Sequence, residues 1–400
     1  MVVVTGIGLI APHGDDAAAV FDAVMRGDSA IRAVFAELPK PAAAAVAPFD
    51  ESRWFTKLQL PGVDRVSQIA VAAATLALAD AGGADAAPER IGVYAGCGMG
   101  GAAALENAYV AAARGGRVPP LTVPAFMPNA PAAHIAMRHH VLGPVLTYSV
   151  ACASSAVALA EAARAVRRGD IDVAIAGGAE ALIVPGVVSA WQALQTLAAF
   201  KPGEAAGACR PFARDRSGFV LGEGAAVIVV ESAARAQARG ARAYAELAGC
   251  GIGSDGTHLT KPDAQGQART LRAALADAGL QPRDVGYCNA HGTATKIGDV
   301  VESKALAAVW GSAIDTLRVS STKALHGHLL GAAGALEAVI TILALQRQRL
   351  PPNAHCTSPD PQCALNLVLE PSMRATELKA AISSSFAFGG TNAVLAFKRV

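Results

Sequence analysis

Val145-Leu146-Thr147-Tyr148-Ser149-Val150 runs directly into Ala151-Cys152-Ala153-Ser154-Ser155, and then into an alanine-rich stretch that ends at Arg168. The first six positions, mostly β-branched or apolar, read as a strand. Small residues make a tight turn, and Ser154 to Arg168 reads as a helix. The same alternation extends outward on both sides. Val2 to Val4, Ile91 to Ala95, Val173 to Ala176 and Ala226 to Val230 read as strands. Asp16 to Met25, Val66 to Ala81 and Ala233 to Arg239 read as helices. After a break near Gly240 the alternation resumes: helix Gln265 to Ala278, strand Val285 to Cys288, helix Val300 to Trp310, strand Arg318 to Ser321, helix Gly331 to Gln346. Near-continuous apolar strands between helices predict an α/β protein with sheets buried on both faces.

Two such rounds suggest a duplicated unit. Similar glycine-rich turns are expected at Thr5-Gly6-Ile7-Gly8 and Gly249-Cys250-Gly251-Ile252-Gly253, although the internal match is weak. The division expected is residues 1–240 and 241–400. The Ala/Pro patch from Pro39 to Pro48 reads as a surface loop.

At 400 residues the chain exceeds one ordinary core, so two packed domains or one large layered unit is expected. Hydrophobic residues make up 52% and charged residues 16%, which excludes a disordered or fibrous chain. A net charge of +2 with scattered basic residues gives no electrostatic case for nucleic acid. The longest uncharged apolar stretch, Ala181 to Phe200, holds Pro185, Gly186, Gln192, Gln195 and Thr196. It reads as a buried loop and helix, not a membrane span. Seven scattered cysteines form no disulfide framework and no C-x-x-C pair. With no signal-peptide pattern at the start, a reducing cytoplasm is the expected home.

Four segments carry candidate chemistry. Cys152 sits on a strand-to-helix turn at the positive end of a helix dipole, where a thiolate is favoured. Taken alone it could equally be a packed thiol. Asn289-Ala290-His291-Gly292-Thr293-Ala294-Thr295 places a histidine at the carboxyl end of a strand, where open α/β sheets present their sites. Lys323-Ala324-Leu325-His326-Gly327-His328 leads into a small-residue helix bearing Glu337, a possible buried partner for Lys323. His326 reads equally well as a surface residue. Phe386-Ala387-Phe388-Gly389-Gly390-Thr391-Asn392 is an aromatic and glycine turn whose amides could form an anion nest. One cysteine and two histidines at comparable strand ends describe a thiol acyl-transfer site. A papain-like layout needs one histidine and an asparagine orienter. Metal binding by Cys152, His291 and His328 is possible in principle, but no ligand pair has characteristic spacing.

Taken together, these motifs resemble the β-ketoacyl-acyl-carrier-protein synthases, condensing enzymes of fatty-acid and polyketide assembly. The resemblance runs from Val2-Val3-Val4-Thr5-Gly6-Ile7-Gly8 through Gly96-Cys97-Gly98-Met99-Gly100-Gly101 and Ala151-Cys152-Ala153-Ser154-Ser155. It continues through Arg210-Pro211-Phe212, Asp215 to Val220, Gly222-Glu223-Gly224-Ala225 and the His291, Lys323/His328 and Phe388 segments. The match is nearest the stand-alone elongating type.

The resemblance implies a thiolase-like, five-layered α-β-α-β-α fold of two similar halves, as a homodimer or a heterodimer with a homologous subunit. It implies that Cys152 is the acyl-accepting nucleophile, His291 and His328 are the active-site histidines, and Lys323 organises the second of them with Glu337 as support. Phe388 would be the gate, its N–H and that of Cys152 forming the oxyanion hole. Thr293 and Thr295 would hold the phosphopantetheine arm of an acyl carrier protein, and Ala102, Ala103, Ala104 and Leu105 would line the far acyl pocket. No metal or other cofactor is implied. Lys57, Arg65 and Lys201 are loose candidates for carrier contacts.

Two residues depart from the family pattern. Lys296 stands where proline is usual, and Ala387 replaces a glycine in the gate, where a Cβ restricts positive φ. The rivals are a chain-length-factor-like partner subunit, which would lack the nucleophile, and a thiolase. A thiolase uses a second cysteine in a C-terminal glycine turn, and Cys356 and Cys363 fall too early for that.

Overall fold

The computed structural model describes residues 1–38, 40–370 and 377–400. Eleven strands build the main sheet: β1 (Val2–Ile10), β2 (Ile91–Gly96), β3 (Val145–Tyr148), β4 (Val173–Glu180), β5 (Gly224–Ser232), β6 (Ala245–Ser254), β7 (Tyr287–Asn289), β8 (Arg318–Ser320), β9 (Asn366–Leu367), β10 (Ala380–Phe386) and β11 (Thr391–Lys398). Among the helices of the described residues that cover it are α1 (Arg65–Asp80), α2 (Ala130–His139), α3 (Ser154–Arg168), α4 (Ala264–Asp277), α5 (Lys296–Trp310) and α6 (Ala333–Arg347).

The strand order is β9-β8-β7-β10-β11-β6-β1-β5-β4-β2-β3, and it contains the same pattern twice. In the first half β1 pairs antiparallel with β5, β5 antiparallel with β4, and β4, β2 and β3 run parallel. In the second half β6 pairs antiparallel with β11, β11 antiparallel with β10, and β10, β7 and β8 run parallel. The two halves of the sheet join edge to edge at Val3–Glu246 and Val4–Ala245, beside a bond from the Tyr244 N–H to the Val4 carbonyl.

Away from the edge strand β3 the sheet is buried on both faces, and all nine residues of β1 are buried. Helices α3 and α6 form a shared middle layer. α3 packs on β2 and β4 of one half and on β6 and β11 of the other, while α6 packs on β5 and on β10. Outside, α1 and α2 cover the first half and α4 and α5 the second. This is the α-β-α-β-α stack expected. Leu330–Arg347 is apolar and long enough to cross a membrane, but 89% of it is buried as this middle layer.

The structure corrects three readings. The glycine-rich turns expected at Thr5–Gly8 and Gly249–Gly253 are strand interiors, in β1 and β6. Their glycines admit a helix backbone at close range. A Cβ on Gly8 would lie 2.1 Å from the Ala73 carbonyl oxygen of α1, and one on Gly251 2.2 Å from that of Thr270 in α4. In both halves, therefore, glycine in the first strand serves helix-to-sheet packing, not a turn. The patch from Pro39 to Pro48 is not simply a surface loop: Ala42–Ala45 is a buried strand of a small sheet with Ile31–Val34 and Leu221–Gly222. Pro39 lies outside the described residues. The helix within Ala181 to Phe200, Pro185–Ala193, buries only Val188 and lies at the surface.

Candidate active site

Cys152 lies in a single turn, Ala151–Ala153, between β3 and α3. Ser154 ties the turn locally: its hydroxyl donates to the Ala151 carbonyl at 2.6 Å and accepts the Val150 N–H at 3.0 Å. Ala151 is left with φ 51°, a left-handed conformation unusual for alanine. This strained turn presents the Cys152 sulfur to a cavity.

His291 follows β7 at the carboxyl end of the parallel strands. Its N–H and that of Gly292 donate to Glu302 at 2.8 and 2.7 Å, which anchors the loop to α5. His328 follows the short helix Lys323–His326, and its backbone N–H donates to the Val220 carbonyl at 2.7 Å. Its ring Nδ1 accepts the Leu330 N–H at 3.3 Å. With Nδ1 accepting, the ring proton resides on Nε2, which is buried and has no partner among the described residues. Cys152 Sγ and one nitrogen from each histidine lie within 4.8 Å of one another. The imidazole rings meet edge to face at 5.4 Å.

One cysteine and two histidines so close could in principle hold a soft cation. The Leu330 N–H opposes this: a metal would need the Nε2 lone pair, and so would force two N–H groups together at Nδ1.

Lys323 and Glu337 form a fully buried ion pair beneath the histidines. Burial pushes Glu337 up to about 7, and Lys323 acts in the opposite direction. Burial, then Lys323, holds both His291 and His328 well below the ordinary imidazole range, so both rings are neutral. Cys152 differs from its sequence reading. Burial pushes its thiol up to about 11, outweighing Lys323 and the backbone N–H groups of Phe388 and Cys152. Desolvation defeats the helix dipole here, and the resting group is a thiol.

The cavity, about 460 Å³, is lined by Cys152, His291, His328, Phe388, Thr293 and Thr295 among others. The two threonine hydroxyls lie 3.2 Å apart. An aromatic wall leads inward from the mouth: Phe388 beside Trp191, Trp191 edge-on to Phe219 at 5.4 Å, and Phe219 edge-on to His328 at 5.5 Å. Ala102, Ala103, Ala104 and Leu105 do not line this cavity and sit instead on the first turn of the helix Ala102–Ala113. Cys356 and Cys363 are buried away from it.

Lys296 lines the mouth, its carbonyl held by the Arg216 guanidinium at 2.7 Å. Among the loose carrier candidates, Arg65 is engaged structurally, bound to the buried Glu223 at 2.6 Å and to the Ala47 carbonyl at 2.8 Å. His326 is not at the surface: it is buried, with its ring held by Thr322 and by the Gly327 carbonyl. Ala387 avoids positive φ, which falls on Gly389 (86°) and Gly390 (76°).

The sequence reading missed Trp191, Phe219, Glu302 and Asp299, the last of which lines the cavity and accepts the Phe212 N–H at 2.8 Å. Asp299 and Glu302 were the most findable, being acidic residues three apart on the first turns of a helix directly after the His291 loop.

The model of the "Beta-ketoacyl synthase, N-terminal domain" matches residues 1–236, and that of the C-terminal domain matches residues 244–357. The chain is 38% identical over 408 residues to "3-oxoacyl-[acyl-carrier-protein] synthase 2" of Staphylococcus aureus (strain N315), covering 100% of this chain and 98% of the relative. Among solved structures, the ishigamide ketosynthase/chain length factor aligns with a TM-score of 0.93 at 30% identity, covering 100% and 99% of the two chains. A type II polyketide ketosynthase in complex with its acyl-carrier protein (AntDE:AntF) aligns with a TM-score of 0.91 at 28% identity, with the same coverage. The chain belongs to the β-ketoacyl synthase family.

Proposed function

We propose that this chain catalyses decarboxylative condensation of an acyl thioester with malonyl-acyl carrier protein, using Cys152, His291 and His328. The carrying observation is the convergence of one thiol and two neutral imidazoles within 4.8 Å. The Cys152 sulfur attacks the acyl-carrier thioester, and its proton ends on the departing pantetheine thiol. The amides of Cys152 and Phe388 stabilise the tetrahedral oxyanion.

Malonyl-carrier then enters, its arm held by Thr293 and Thr295. N–H donation from the neutral histidines to the malonyl thioester carbonyl stabilises the enolate as CO2 departs. The carbanion attacks acyl-Cys152, and the expelled thiolate recovers a proton from solvent. The step balances with carrier thioesters alone, and loss of CO2 drives it. Burial keeps both imidazoles neutral, and the charge of Lys323, supported by Glu337, acts in the same direction.

The reading of residues 1–240 and 241–400 as two halves assigns the nucleophile to one and both histidines to the other. The repeated strand pattern supports it. Dimerisation is part of the proposal, with a second copy or with a homologous subunit. The presence of Cys152 with both histidines favours the active subunit over a silent chain-length-factor-like partner.

The test is CO2 release from malonyl-carrier. His291→Ala and His328→Ala should each lower it by about 10²–10³-fold while Cys152 still accepts an acyl group. Loss of acylation and decarboxylation in equal measure would refute the division of labour.

A further inference from the structure

Leu330 has φ 46°, a left-handed conformation that a branched side chain resists. It does not hold this shape alone. Its own N–H donates to His328 Nδ1, and the next N–H along, that of Gly331, donates to Glu180 Oε2 at 2.9 Å. Glu180 ends β4, is fully buried and has no cationic partner among the described residues. The same oxygen accepts the Gly98 N–H at 2.8 Å, and Oε1 accepts the Met99 N–H at 3.3 Å. Space has been cleared for this carboxylate, since a Cβ on Gly98 or Gly331 would lie 2.5 Å from Oε2.

We propose that Glu180 is a positioning residue for His328: it holds the Leu330–Gly331 peptide so that the Leu330 N–H keeps His328 in its Nε2–H tautomer. Only that tautomer offers a donor to the malonyl thioester carbonyl. The inference rests on the reading of His328 given above. Three backbone N–H groups from two separate turns require an acceptor-only group. In Glu180→Gln, one carboxylate oxygen becomes an NH2, and whichever way the amide sits an N–H faces a backbone N–H. In the orientation that puts the NH2 at the Oε2 place, the Gly331 N–H loses its acceptor, Leu330 relaxes toward negative φ and its N–H leaves the ring.

The experiment uses the full chain labelled with 15N-histidine. The His328 ring signal is assigned by its loss in His328→Asn. Wild type should show the Nε2–H form, and Glu180→Gln a mixture containing the Nδ1–H form. In the same variant, condensation should slow at least about tenfold, with acylation of Cys152 and the KM for malonyl-carrier within about twofold. An unchanged tautomer overturns the proposal, as does unchanged condensation or a parallel loss of both half-reactions. Should Glu180→Gln fail to fold, Gly98→Ala serves in its place, because its added methyl first meets the Glu180 carboxylate. The ring spectrum needs no substrate. An inactive wild type would therefore fault the condensation reading, while the spectrum still decides the role of Glu180.

Discussion

At the scale of single residues, burial sets the chemistry. Cys152 rests as a thiol pushed up to about 11, so its reactivity follows the small ionised fraction. Alkylation of Cys152 by iodoacetamide should therefore rise about tenfold per pH unit from pH 7 toward pH 10. It is followed by intact mass with Cys152→Ala as the blank. A rate already flat at pH 7 would mean that the thiolate is preformed. Beside Phe388, the gate that the family resemblance implies, Ala387 leaves the positive φ angles to Gly389 and Gly390. Any opening that needs positive φ at residue 387 is hindered by its Cβ. Ala387→Gly should thus open faster than the parent when timed by trapping with acyl-carrier substrates, and equal rates would remove Ala387 from the gating. Cys152 and His291 stood out in the sequence because each follows a strand that ends in small residues, whereas His328, beyond the short helix Lys323–His326, was assigned by the family resemblance. The state of the thiol was not legible, because desolvation depends on what the rest of the chain packs over it.

At the scale of elements, α6 carries Glu337 into the middle layer to meet Lys323. Removing one partner leaves a buried charge, so Lys323→Met should cost about 3–5 kcal/mol of unfolding free energy. The double variant Lys323→Met, Glu337→Leu should recover much of that loss. Urea denaturation of the two variants measures the difference; equal losses would show that the pair is not coupled. Helix boundaries were largely readable: α3 begins and ends at Ser154 and Arg168 as its alanine pattern implies. The glycines of β1 and β6 misled, because glycine marks both turns and close helix-to-strand approach. Only the position of α1 and α4 above them tells which applies.

At the scale of the whole molecule, the edge strand β3 is left uncovered. Val145 and Leu146 are 38% and 43% exposed. Beside them α2 packs on the helix Thr122–Phe126, which packs on Ala102–Ala113. Tyr109, Val110, Leu121, Val123, Met127 and Met137 are all exposed across this face. An unpaired edge flanked by so much apolar surface is the face on which the proposed dimer would form. Leu146→Glu should shift the protein to monomer in sedimentation velocity, and a wild-type monomer at micromolar concentration would contradict this. The layered architecture was legible from the alternation of strands and helices. The repeated strand order was not, because sequence similarity between the halves is slight and the repetition lies in how strands pair. The far acyl pocket was expected at Ala102 to Leu105, yet those residues lie outside the cavity of Cys152, near the uncovered face.

The central claim is that Cys152 carries the acyl chain between two carrier proteins. Its most direct test is intact-mass analysis of the protein after mixing with acyl-carrier protein, followed by a chase with malonyl-carrier. The account predicts one acyl adduct, absent in Cys152→Ala, that disappears on the chase as a β-ketoacyl-carrier two carbons longer appears. An adduct that persists in Cys152→Ala, or one that malonyl-carrier cannot discharge, would contradict it.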